Sequence, residues 1–123
     1  MRLTLDNRPG ANLVTRLSPE GIQVGEDLLD ASFIVSAGEL LRGWPVTDPA
    51  ALDLAALEPA LALEPEILVL GTGPRIQFPA GELFAQLAGK GVGLEVMDTA
   101  AACRTYNVLV GEDRSVVAAI ILG

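Results

Sequence analysis

The chain has 123 residues, half of them apolar and only 4% aromatic, and its 16 acidic against 8 basic side chains give a formal net charge of −8. Such a balance opposes binding to phosphate backbones and anionic membranes, which need clustered Lys and Arg, and the basic residues here are scattered along the chain. One cysteine and no histidine exclude an internal disulfide, Cys-His dyads, Ser-His-Asp triads and the usual zinc, copper and iron sites, so no cofactor is expected.

A single domain over residues 1–123 is the expectation at this length, with about two-thirds of the unfolded surface buried. Leu, Ala and Val dominate a mean hydropathy of +0.44. That composition suits helices packed on a sheet and leaves apolar surface for self-association or a protein partner. The polar start Met1–Gly10 contains Arg2, Asp6 and Arg8 with no apolar stretch behind them, unlike a secretory signal. Together with the lone Cys103 it implies a cytoplasmic protein.

Leu13–Leu17 and Ile22–Val24 read as strands joined by Ser18-Pro19-Glu20-Gly21, a type I turn with Pro second and Gly fourth. Glu26, Asp27 and Asp30 follow as an exposed acidic loop without the spacing of a calcium loop. Ser32–Ser36 is a third strand. Ala37–Val46 is expected to be an irregular loop anchored by Trp44. Asp48 before Pro49 is suited to cap a helix, but Pro59 divides Ala50–Leu63 into two short pieces or delays a helix to Glu58.

The apolar run Ile67–Leu70, ended by Gly71, predicts a buried strand. A helix opens at Pro79, turns Leu83, Phe84 and Leu87 inward, and stops at Gly91. Gly93–Met97 is the next strand, a helix spans Thr99 to Val110 with Gly111 as its stop, and Val116–Ile121 is a last buried strand. Val116–Leu122 is too short to span a membrane, which needs roughly 20 residues. Strand, helix and strand form a right-handed crossover, which brings the turns Gly71-Thr72-Gly73 and Met97-Asp98-Thr99 to one sheet edge.

Two readings of that edge stand side by side. As a ligand site, Thr72 and Gly73 admit close approach to the backbone, Arg75 assists an anion, and the helix N-terminus at Asp98 and Thr99 completes a cleft. The glycines match neither a phosphate loop nor a dinucleotide fingerprint, and Asp98 or Thr99 is better suited to N-cap the helix than to act as an acid or base. Along the helix, Thr99, Cys103, Tyr106 and Asn107 form a polar face where a core helix should be apolar. The face either ties the helix to neighbouring backbone or presents Cys103 as a thiol nucleophile, with only Arg104 or the helix dipole to lower its pKa.

Leu41-Arg42-Gly43-Trp44, the run Ile67–Gly73 and above all Met97-Asp98-Thr99-Ala100-Ala101-Ala102-Cys103-Arg104-Thr105-Tyr106-Asn107-Val108-Leu109 resemble a family of small Mth-like domains. The family includes mitochondrial respiratory complex I assembly factor three, and the resemblance covers nearly the whole chain. It implies a three-layer α/β fold with a mixed central sheet: an N-terminal β-hairpin, then strand, helix, strand, helix and strand, with the last strand running against its neighbours. The local pattern alone makes that strand parallel. Functionally it implies binding or assembly, with no catalytic residue to carry over. A non-enzymatic assembly protein is therefore the first expectation. The alternative is a small-molecule or anion site, with or without catalysis, at Thr72, Gly73, Arg75, Asp98, Thr99, Cys103, Tyr106 and Asn107.

Overall fold

In a computed structural model residues 10–123 are described; the expectation about a secretory signal rests on residues outside them. Strand β1 (Val14–Ser18) turns at Pro19-Glu20 into β2 (Gly21–Val24), as the Pro and Gly positions predict, and Ser18 pairs with Gly21. Gly21 has φ 146°, the left-handed region where glycine is favoured.

The stretch expected as an acidic loop holds a third antiparallel strand, β3 (Asp27–Leu29). Its Leu29 is buried opposite Ile22, so one inward leucine outweighs the acidic flanks. After β4 (Phe33–Ser36) the expected irregular loop likewise contains a strand, β5 (Leu40–Arg42), which returns beside β4. The Ser36–Glu39 turn closes that hairpin: Ser36 N–H donates to the Glu39 carbonyl at 2.9 Å, and Glu39 N–H reaches Ser36 Oγ at 3.1 Å. Trp44 is the expected anchor, buried with Nε1–H donating to the Ala56 carbonyl at 2.8 Å.

Between Asp48 and Leu63 the chain makes 3-10 turns at Pro49–Ala51 and Ala55–Leu57, then a short helix α1 (Glu58–Leu61). Asp48 caps the first turn, accepting from Ala50 N–H at 2.9 Å. The regular elements beyond it are β6 (Ile67–Gly71), α2 (Gly81–Ala88), β7 (Gly93–Met97), α3 (Thr99–Gly111) and β8 (Val116–Ile120). Helix α3 runs through Gly111, the residue expected to stop it. The chain leaves the helix two residues later at Asp113, φ 61°, where Arg114 N–H donates to the Leu109 carbonyl at 3.0 Å.

The five-stranded sheet has the order β5-β4-β8-β6-β7. β8 is parallel to β6, as the local pattern implied, and antiparallel only to β4. The expectation that it opposes its neighbours therefore holds on one side alone, and the sheet's mixed character comes from the β4-β5 hairpin added at that side.

Alternation along the central strands divides the core in two. Phe33, Val35, Val69, Ala118 and Ile120 face α3 and the inner side of the β1-β2-β3 sheet. Ile34, Leu68, Leu70, Val117 and Ala119 face the opposite layer, with Leu57, Leu83 and Leu87. The result is the expected three layers.

Candidate functional site

The two turns at the end of the parallel strands meet and bond to each other. Thr72 N–H donates to the Met97 carbonyl at 3.0 Å, Thr99 N–H to the Gly73 carbonyl at 2.8 Å, and Gly73 N–H to Thr99 Oγ1 at 2.8 Å. The buried Thr72 hydroxyl lies 2.8 Å from the Arg75 carbonyl and accepts from Gln77 N–H at 3.0 Å, which shapes the loop leading toward α2. Asp98 caps α3, accepting from Ala101 N–H at 2.8 Å. The N–H groups of Thr72, Gly73, Thr99 and Ala101 are thus already engaged, and an anion would have to displace those bonds.

Two glycines make this junction possible. A methyl group at Gly71 would stand 2.9 Å from Ile120 Cδ1, 3.1 Å from Ala102 Cβ and 3.3 Å from Thr99 Cα, so its absence lets α3 begin directly against β6. Gly73 has φ 100°, which side chains with a Cβ rarely adopt.

Beyond Thr99, which belongs to the junction, the polar residues of α3 turn toward the first sheet and the chain leading into it. Asn107 Oδ1 accepts from Val14 N–H at 2.9 Å while its Nδ2 donates to the Val14 carbonyl at 2.7 Å. Tyr106 OH donates to the Asn12 carbonyl at 2.7 Å. Asn12 in turn donates through its backbone N–H to the Ala37 carbonyl at 2.9 Å and through Nδ2 to that of Ser36 at 3.1 Å. Among the described residues every buried side-chain nitrogen or oxygen has a partner. Cys103 is 2% exposed, and burial pushes its thiol up from 9.0 to about 11 against the weaker pull of Arg104. A thiol so placed is protonated at neutral pH, the reverse of an activated nucleophile.

By docking the start of β1, α3 also positions the β1-β2 turn. Between that turn and the Gly73–Pro74 and Asp98–Ala100 segments lies an open groove of about 470 Å³. Of the residues expected at the site, Gly73, Asp98 and Thr99 line it. Thr72 is buried beneath the junction, Arg75 is exposed in the loop after it, and Cys103, Tyr106 and Asn107 lie where α3 packs against the start of the first sheet. Leu17, Glu20 and Asp30 escaped sequence reasoning as groove residues, since only the tertiary docking of the hairpin brings them there. The one sequence signal is Leu17, an apolar residue 43% exposed beside a turn. Among the described residues no three or more Cys, Asp or Glu side chains gather to hold a metal ion, and no helix is long and apolar enough to cross a membrane.

A family model described as protein of unknown function (DUF498/DUF598) matches residues 14–121. The chain is 34% identical over 106 residues to NADH dehydrogenase (ubiquinone) 1 alpha subcomplex assembly factor 3 of Danio rerio, a match covering 85% of this chain and 60% of that protein. It therefore spans less than two-thirds of that relative. The crystal structure of a Bordetella parapertussis protein is similar, with TM-score 0.85 and 36% identity over 93% of this chain and 98% of the other. A Bordetella pertussis protein described as a Mth938-like domain, solved in solution, gives TM-score 0.80 and 30% identity over 92% and 87%.

Proposed function

The chain belongs to the family described as DUF498/DUF598, as the resemblance of Met97–Leu109 implied, and on that premise we propose that it is a non-catalytic assembly protein that works by binding another protein. One observation carries the reading: the polar residues of α3, the best candidates for chemistry, are spent within the fold. Asn107 holds Val14 at the start of the first sheet, Tyr106 holds Asn12 just before it, Thr99 holds the Gly73 turn, and Cys103 is buried and protonated.

The finer part of the proposal is the object of assembly. The similarity to a protein named as a complex I assembly factor supports a role in assembling a respiratory complex. Deleting the gene in its native host and resolving membrane complexes on native gels tests this. The expected result is loss of assembled complex I, restored by the intact gene, with complex I subunits recovered on the tagged protein. Normal complex I in the deletion strain would overturn the proposal.

The groove keeps a second reading open, a small molecule bound beside Gly73, Asp98 and Thr99. Its carboxylate-rich lining favours a cationic ligand over the anion first expected.

A further inference from the structure

We propose that the groove between the β1-β2 turn and the start of α3 is the docking site for a partner-protein segment that carries an aliphatic side chain flanked by lysine or arginine. This rests on the protein-binding reading above and gives it a place and a chemistry.

The groove's apolar walls come from both sides: Leu17, Pro19 and Ile22 on the hairpin, and Pro74 and Leu122 opposite. Leu17 is left 43% exposed although its cross-strand partner Ile22 is buried. Covering such a leucine removes apolar surface from water, which favours association. A volume of about 470 Å³ takes a short run of side chains rather than a whole helix face.

Charge selects the flanks of that segment. Glu20, Asp30 and Asp98 line the groove, and no Lys or Arg does. The acidic residues do not gather into a group that could hold a metal ion. Glu20 and Asp30 are exposed, where the cationic side chains of a partner segment can reach them. An anionic partner is disfavoured by the same charge, and Gly73 and Ala101 N–H groups are already bonded to Thr99 and Asp98. Electrostatic complementarity of this kind contributes chiefly to specificity and association rate.

The test selects phage-displayed random peptides against the full chain, then titrates synthetic copies of the enriched peptides into isotope-labelled protein followed by NMR. The expected result is a consensus of Leu, Ile or Val beside Lys or Arg, with shifts centred on Leu17, Glu20, Gly73 and Ala100. Affinity should fall about tenfold in the Glu20→Lys, Asp30→Lys double variant, whose two positions are exposed. Should that variant misfold, Glu20→Gln with Asp30→Asn carries the same test with a smaller loss. No enrichment, an acidic or uncharged consensus, or shifts centred on the exposed Ile76 and Phe78 would overturn the proposal. The deletion experiment separates the two ideas: if the folded double variant restores complex assembly, the groove assignment fails and the assembly reading stands. If deletion changes nothing while cationic peptides still map to the groove, the reverse holds.

Discussion

Asn107 holds Val14 at both ends of its backbone, accepting its N–H and donating to its C=O across 93 residues of chain. Together with the Tyr106–Asn12 bond and the shared apolar core, this amide holds the start of the first sheet on α3.

Asn107→Ala should therefore destabilise the protein by about 2–4 kcal/mol, because two hydrogen bonds are lost and two backbone groups lose their partners. Asn107→Asp should be no better, since a carboxylate still accepts from Val14 N–H but faces the Val14 carbonyl with no donor. Urea unfolding gives the magnitude. Hydrogen exchange at Val14 gives the location, with the largest loss of protection expected there and around Asn12.

Gly71→Ala should cost about 1–3 kcal/mol, the range for forcing an extra methyl into a packed site. The nearest atom is the movable Ile120 Cδ1 at 2.9 Å, and Ala102 Cβ and Thr99 Cα at the start of α3 must each give by a few tenths of an ångström. Thermal unfolding should show a melting temperature several degrees lower, and NMR shifts should concentrate at Thr99 to Ala102. Shifts confined to Ile120 would mean that its side chain alone absorbs the methyl.

Cys103 gives a pH signature. In the unfolded chain the thiol ionises near 9.0, whereas burial in the fold delays ionisation to about 11. Between those values the unfolded state releases a proton that the folded state keeps, so stability is fully present below pH 9 and falls as pH rises toward 11. The total loss is on the order of 2–3 kcal/mol at 1.36 kcal/mol per unit. Cys103→Ala should remove this slope between pH 8.5 and 11, read from urea midpoints, and native protein should react with a thiol reagent far more slowly than unfolded protein.

The elements from Ile67 onward were legible in sequence because each carries a strong local signal. Ile67–Leu70 is an uninterrupted apolar run, Asp98 caps α3, and Gly91 follows α2 with φ 79°. The strands β3 and β5 were not, since three residues with charged members such as Asp27 and Arg42 carry no period. What marks them is pairing with the strand just before each, β2 and β4, and the ion pair between Arg42 and Asp27 that joins the two hairpins. The site divides the same way. Asp98 and Thr99 were readable as the start of a helix, whereas the spacing that put Cys103, Tyr106 and Asn107 on one face could not say what that face meets. It meets the first sheet, and the groove is a consequence of that docking.

Whether α3 is a scaffold or a reactive surface is decided by complementation of the deletion strain with Cys103→Ala. With α3 as a scaffold, assembled complex I should return to the level restored by the unaltered gene. A Cys103→Ala protein that is folded and present at normal amount, yet leaves the complex unassembled, would contradict it.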